Sequence, residues 1–434
     1  MKIKTTLISA AFSCLLASTQ SAADTTVGAY VDYDGWSLNT IDQFNADTAR
    51  NATAINIFST FDFSWNHLGQ QSRNIVSRNA VPLITLMPYT SATPSANVLQ
   101  EIVQGQWDAY ITSWIAGFQS WRSTYPSGSK PSILLRFGHE FNGNWYPWGN
   151  KPTDLKAAWR YLHNKFTTAG VNDFVGWVWC ANNVDVDSYN NVMTYYPGDD
   201  VVDWLSIDGY NWGSNYSFTR WKTFDETFSQ QYVKMVSAVP TKPLMLAEVS
   251  SAEPHDMPNS AWGQNGDNSD ALESKEVWTA DMLNSIQSHY PAIKSIVWFN
   301  TNKELSWALN KTGNTGLTAY NSAVVGNYFG GTLSIKSPAI SPLVTATALS
   351  EASEPAPQQL HRKKAKNNRA ASHTRVIEKD TVKGKGAVHP KGWDIATRHV
   401  PEVVGARLLQ KEAEGLRAMP KSVLKRWRAH PMIK

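Results

Sequence analysis

The sequence predicts an α/β fold, a (β/α)8 TIM barrel, followed by a basic, poorly ordered C-terminal extension. Three observations support this prediction: eight short apolar runs, amphipathic stretches between them, and a change of composition near residue 335. Apolar runs that alternate with helices are typical of parallel strands buried on both faces. Eight such repeats within about 300 residues fit the size of this barrel.

The predicted strands are short, and several are β-branched and nearly all apolar, which favours strands over helices. They cover residues 27–31, 54–58, 83–87, 133–137, 174–179, 204–207, 244–247 and 295–299. Helical periodicity is clear over 154–168 and 275–290. In such barrels the chemistry lies at the C-terminal ends of the strands, so the residues after each run are the candidates for function.

Residues 1–23 are typical of an export signal, because two lysines precede a short apolar run and small residues end the segment. We therefore expect a mature chain that starts at Asp24 and is secreted or periplasmic. Without the signal, Cys180 is the single cysteine, so the sequence predicts no internal disulfide.

The remainder divides into a catalytic domain at 24–335, a linker at 336–359 and a basic tail at 360–434. The tail holds 19 Lys and Arg against 6 Asp and Glu, a surplus of +13. The whole chain is +4, so the rest sums to −9. Such a tail can contact anionic surfaces, and the alternative is a solvated extension without a specific partner. We expect a monomer with no specific protein partner.

Two glutamates follow predicted strands on opposite sides of the barrel, Glu140 after the fourth and Glu248 after the seventh. Retaining glycosidases need two carboxyl groups about 5–5.5 Å apart, one as acid/base and one as nucleophile. Two strand ends of a barrel can hold carboxylates at that distance. Geometry alone leaves open which glutamate has which role.

The stretch 136–148, RFGHEFNGNWYPW, resembles the acid/base signature of glycoside hydrolase family 26. The resemblance covers about residues 25–330 and no part of the tail. That family holds β-1,4-mannanases, mixed-linkage β-glucanases and β-1,3-xylanases on a (β/α)8 fold. The resemblance implies that Glu140 is the acid/base and Glu248 the nucleophile. It also implies four substrate-binding residues: His139, Trp145, Tyr210 and Trp298.

One departure concerns the substrate. Mannanases of the family usually carry Trp-His at the end of strand three, whereas this chain has Met87-Pro88-Tyr89. We therefore expect a retaining endo-β-glycanase that acts on a β-linked polysaccharide, either β-1,4-mannan or mixed-linkage β-glucan. β-1,3-Xylanase activity and a non-catalytic polysaccharide-binding protein remain as alternatives. The loop 263–270 lacks EF-hand spacing and no zinc motif is present, so we expect no metal and no cofactor.

Overall fold

The structure, a computed structural model, describes residues 24–336 except 93, 188–189, 216–218 and 255–272. Several predictions fall outside the described residues: the export signal at 1–23, the loop 263–270, the linker beyond residue 336 and the tail at 360–434. Within the described part, no helix combines the length and apolar character needed to cross a membrane.

Eight parallel strands pair in chain order and close into a barrel, with β1 next to β8. This confirms the predicted (β/α)8 fold. The strands are β1 Thr26–Val31, β2 Ala54–Thr60, β3 Val81–Met87, β4 Ile133–Phe137, β5 Val175–Asn182, β6 Trp204–Asn211, β7 Leu244–Ser251 and β8 Ile293–Asn300. Each overlaps one predicted run, and most extend further toward the C-terminal end, where the polar residues lie.

α-Helices follow every strand except β5, after which the described residues form only the short 3-10 helix Val192–Tyr195. They are α1 Leu38–Asp47, α2 Trp65–Val76, α3 Val98–Val103, α4 Asp108–Ser123, α5 Pro152–Thr168, α6 Phe224–Ala238, α7 Lys275–His289 and α8 Leu317–Val324. The two helices predicted from periodicity are therefore present as α5 and α7. The helices bury their apolar stripes against the outside of the barrel.

The barrel interior changes from apolar to polar along the strands. Leu83, Leu134 and Val178 belong to an apolar layer in the N-terminal halves of their strands. Side chains two residues apart on a strand point to the same face. The next inward positions on β3 and β4 are therefore Thr85 and Arg136, both fully buried. A buried guanidinium requires charged partners, so this second layer marks where the site is built.

The N-terminal end of the barrel is closed by the segment 331–336. Leu333 and Ile335 pack against the apolar interior layer, and the Trp204 indole N–H donates to the Ser334 carbonyl at 3.1 Å. The backbone comes so close to β5 that a Cβ at Gly176 would stand 2.2 Å from the Ile335 carbonyl oxygen. This segment therefore packs as part of the barrel.

Candidate active site

The chain turns sharply where β4 ends. Gly138 and Glu140 both adopt the left-handed backbone region, with φ of 54° and 53°. A non-glycine residue in that region is uncommon and needs support from its surroundings. Here the Glu140 N–H donates to the Cys180 carbonyl at 2.9 Å, and the Trp148 indole N–H donates to the His139 carbonyl at 2.8 Å. These contacts fix the backbone that carries the predicted acid/base.

Both carboxylate oxygens of Glu140 accept a hydrogen bond from a neutral donor. The Trp145 indole N–H reaches Oε2 at 2.8 Å, and the Asn182 amide reaches Oε1 at 2.9 Å. Burial, followed by the charge of Glu248, raises the pKa of Glu140 to about 7, against the lowering effect of the two hydrogen bonds. A carboxyl with such a pKa can give up and take back a proton near neutral pH.

A β-bulge turns Glu248 toward the barrel interior. In the pairing of β6 with β7, Ile207 faces Leu246 and Asp208 faces Glu248, so Ala247 is the extra residue. The pairing of β7 with β8 shifts over the same stretch. Without a bulge, the alternation of the strand would place Glu248 on the helix side, opposite to Ala247. The bulge therefore brings this carboxylate to the site.

Glu248 is almost completely buried and both its oxygens are bound. The Arg136 guanidinium donates to Oε1 at 2.5 Å, and the Tyr210 hydroxyl donates to Oε2. Arg136 also donates to Asp208 at 2.6 Å and through Nε to the Thr85 hydroxyl at 2.8 Å. One buried cation thus holds two carboxylates from neighbouring strands.

His139, Asp208 and Glu248 offer ligand atoms that lie within 4.8 Å of one another. Three such groups can hold a metal ion when no other cation is present. Here the Arg136 guanidinium already contacts both carboxylates, at 2.6 and 2.5 Å. A metal ion would have to compete with this fixed positive charge. The two carboxylates are therefore matched to the Arg136 guanidinium rather than to a metal ion.

His139 forms one side of the site together with stacked aromatic rings. Its Nε2 lies 3.3 Å from the Tyr146 hydroxyl. The Tyr146 ring stacks on Trp148 at 4.3 Å between centroids, with 10° between the planes. Burial, with a smaller effect of the Arg136 charge, lowers the pKa of His139 well below its usual range. His139 is therefore neutral at pH 7 and can act as a hydrogen-bonding group.

The structure does not bring Trp298 to the other predicted residues. Val297 faces the barrel interior and Phe299 contacts the Tyr210 ring at 5.5 Å, so Trp298 between them faces the helices. Its fully buried ring lies 6.0 Å from Tyr320 of α8. A role for Trp298 beneath the sugar stays a prediction, which the outward direction of its indole does not support.

Two tryptophan rings that were not predicted as site residues lie at or near Tyr210. Trp307, in the loop after β8, lies 5.0 Å from the Tyr210 ring. Trp212, two residues after Tyr210, packs edge-on against Trp307 at 5.0 Å. Trp212 is partly exposed. Sequence reasoning missed Trp307 because the loop after β8 has no periodicity that shows where it folds back. It missed Trp212 because this residue lies just beyond β6, where the strand pattern ends.

Five of the six predicted residues are brought together: His139, Glu140, Trp145, Tyr210 and Glu248. Besides these two rings, two polar contributors were not predicted as site residues. Asp208 is the second partner of Arg136, and Asn182 is the second donor to Glu140. Their positions in the sequence could have indicated both, since each is a polar residue at an inward-facing position in the C-terminal half of a strand.

Comparisons with known proteins found a family model and several relatives. Residues 127–325 match the family model described as Glycosyl hydrolase family 26. Endoglucanase H of Acetivibrio thermocellus is 32% identical over 271 residues, which covers 61% of this chain and 26% of that protein. A beta-1,3-xylanase of Alcaligenes sp is 21% identical over 243 residues, which covers 53% of this chain and 46% of that protein.

Among solved structures, the catalytic domain of the GH26 endo-beta-1,4-mannanase of Bacillus sp. JAMB-750 is similar in fold. It superposes with a TM-score of 0.53 at 16% sequence identity and covers 70% of this chain and 86% of that chain. At this identity the likeness concerns the fold alone. The chain spans less than half the length of the two relatives compared above.

Proposed function

We propose that the chain, whose residues 127–325 match the model of glycosyl hydrolase family 26, is a secreted, retaining endo-β-glycanase of that family. The observation that carries the proposal is the contrast between two neighbouring carboxyl groups. Glu140 has a pKa of about 7 and touches only neutral donors. Glu248 is held by a guanidinium and a phenol. Environments that separate two carboxyl groups in this way assign acid and nucleophile.

In the first proposed step the Glu248 carboxylate attacks the anomeric carbon while the bond to the leaving sugar breaks. The leaving oxygen takes the proton of Glu140. The products are a glycosyl-enzyme ester on Glu248, an ionised Glu140 and a shortened polysaccharide. Arg136 and Tyr210 orient Glu248, because each holds one of its two oxygens.

In the second proposed step Glu140 removes a proton from water, and the water oxygen attacks the same anomeric carbon. The ester bond to Glu248 breaks and Glu248 leaves as a carboxylate. Both glutamates return to their starting states, and the configuration of the anomeric carbon is retained after two inversions. No cofactor is needed in this scheme.

The substrate we propose is a β-linked polysaccharide of the mixed-linkage β-glucan or β-1,4-mannan class. At the end of β3, where a mannanase would usually have Trp-His, Tyr89 is buried and stacks on Trp148 at 6.0 Å. This weakens the case for mannan. The relative named Endoglucanase H favours a glucan, and the relative named Beta-1,3-xylanase keeps a xylan as a further candidate.

The direct test compares wild type, Glu140→Ala and Glu248→Ala on soluble mannan, lichenan and β-1,3-xylan, with product analysis. We expect wild type to cleave at least one polymer internally and both variants to lose nearly all of that activity. Sodium azide should rescue Glu248→Ala and yield a glycosyl azide of inverted configuration, because the small anion replaces the missing nucleophile. Activity equal to wild type in either variant would exclude the assignment.

A non-catalytic polysaccharide-binding protein is the second candidate, favoured by the aromatic rings at the barrel mouth. Affinity electrophoresis in gels that contain each polymer distinguishes the two. Retarded migration without any product, from a protein with both glutamates intact, would favour binding alone.

For the basic tail we propose contact with anionic surfaces, which rests on its charge surplus of +13. Comparison of the full chain with a chain that ends at residue 336 tests this by co-sedimentation with anionic vesicles at low and high salt. Equal binding of the two chains would remove the tail from the proposal.

A further inference from the structure

Asn182 is the last residue of β5 and stands beside the predicted acid/base. Val178 and Cys180 of the same strand belong to the interior layer, so the alternation of the strand places Asn182 on the inward face as well. Its amide nitrogen lies 2.9 Å from Oε1 of Glu140.

The direction of the Asn182 amide follows from its second contact. The Val184 backbone N–H donates to Oδ1 of Asn182 at 3.1 Å. A backbone N–H can only donate, so it selects the amide oxygen and leaves the NH₂ group for Glu140. Asn182 therefore presents a donor to the carboxylate.

The backbone on either side of this contact is held by one buried side chain. Asn142, two residues after Glu140, accepts from the Asn182 N–H at 2.8 Å and donates to the Asn182 carbonyl at 3.0 Å. The amide of Asn142 thus joins the loop that carries the acid/base to the end of β5. These two hydrogen bonds of Asn142 fix the distance between Asn182 and Glu140.

We propose that Asn182 is a positioning residue for the acid/base: it and Trp145 each bind one oxygen of Glu140 and together favour the charged state that activates water. This inference rests on the proposed function. Both groups are neutral and neither can accept a proton. They therefore favour the carboxylate over the carboxylic acid, and so set the pH at which Glu140 changes from acid to base.

Other groups also act on the charge of Glu140, and the test must separate them from Asn182. Glu248 and Asp208 repel a negative charge there, and Arg136 attracts it. The phenols of Tyr146 and Tyr210 interact electrostatically with the carboxylate, and burial raises the pKa of both well above the usual range, which keeps them neutral at working pH. None of these side chains is altered when Asn182 is replaced.

The experiment measures the pH dependence of kcat/KM for wild type, Asn182→Ala and Trp145→Phe. The substrate is the polymer that wild type cleaves fastest. Each hydrogen bond to a carboxylate lowers its pKa by roughly one unit. We expect the basic limb to move up by about one unit in each variant and by about two in the double variant. Asn183→Ala is the matched control, because the Asn183 amide donates to the Thr227 carbonyl at 2.8 Å, away from Glu140. The basic limb of the pH profile of this variant should not move.

A purely structural role of Asn182 would lower kcat at every pH and leave the limb in place, and that result would overturn the proposal. Asn182→Asp keeps the shape of the side chain and replaces the donor with an acceptor. It should raise the limb further than Asn182→Ala does. It provides the same test if the alanine variant does not fold.

A second readout needs no activity. In protein labelled with ¹³C at the glutamate carboxyl carbon, the Glu140 resonance is identified by its loss in Glu140→Gln. Its titration midpoint should rise by about one unit in Asn182→Ala. An unchanged midpoint overturns the role of Asn182. A wild-type protein that hydrolyses no β-glycan refutes the proposed function and leaves this measurement valid.

Discussion

Replacing Arg136 with methionine would remove the single cation that two buried carboxylates share. Arg136 is fully buried, and its ion pairs with Asp208 and Glu248 measure 2.6 and 2.5 Å. Removing one partner of a buried ion pair costs about 3–5 kcal/mol, because the remaining charge stays without compensation. Two carboxylates lose their partner here. We therefore expect Arg136→Met to lose about 5 kcal/mol of unfolding free energy at pH 7, the upper end of that range.

Urea unfolding followed by tryptophan fluorescence measures this loss. Arg160→Met is the matched control, because its pair with Asp200 at 2.6 Å is largely exposed and such pairs contribute less than about 1 kcal/mol. Adding Asp208→Asn and Glu248→Gln to Arg136→Met removes the uncompensated charges and should restore most of the stability. A loss below about 1 kcal/mol for Arg136→Met would refute the reasoning, since it would equal that of an exposed pair.

The loss should depend on pH with a defined sign. Burial raises the pKa of Asp208, and Arg136 opposes that rise. Without Arg136 the pKa of Asp208 rises further above the unfolded value of about 3.9. An acid whose pKa is raised on folding destabilises the protein as pH rises above the unfolded value. The stability deficit of Arg136→Met should therefore be smaller at pH 5 than at pH 8.

Three further results are expected. Because the pKa of Glu140 is about 7, kcat/KM of the wild type should fall above pH 7. The same raised pKa means that ionised Glu140 destabilises the folded protein above about pH 4.3, the pKa in the unfolded chain. Glu140→Gln should therefore have a higher free energy of unfolding than wild type at pH 8 and no such advantage at pH 4. Glu248→Asp shortens the side chain by one methylene, which withdraws the carboxylate from Arg136 and Tyr210, and should lower kcat at least about 100-fold on the polymer that wild type cleaves fastest; activity near wild type would contradict this. Trp298→Ala should cost about 3–5 kcal/mol of unfolding free energy with kcat/KM little changed, whereas Phe299→Leu should lower kcat/KM with a smaller effect on stability.

Much of the fold could be predicted from the sequence because burial on both faces leaves a clear pattern. Parallel strands in a barrel are nearly all apolar, and the eight runs stand out from the amphipathic helices between them. The strand ends were less clear. β6 and β7 continue through Asp208 and Glu248, where polar residues interrupt the apolar pattern that defines a strand.

The direction of side chains near those ends could not be predicted. Trp298 and Phe299 are adjacent, and a strand sends them to opposite faces. Which of them faces the interior depends on the register of β8, and the pairing with β7 shifts twice along its length. The bulge at Ala247 leaves no mark in composition, because alanine is common in strands and helices alike. Contacts between distant loops, such as Trp307 with Tyr210, depend on tertiary packing in the same way.

The division of roles between the two glutamates has a physical basis that is independent of any family resemblance. Glu248 accepts from a guanidinium, a charge-assisted hydrogen bond that holds the nucleophile's carboxylate in place. Glu140 accepts from an amide and an indole and lies near the negative charge of Glu248. Neutral donors favour the charged state less than a cation does. The proton that the pair holds near neutral pH therefore belongs on Glu140, which makes it the acid of the first proposed step.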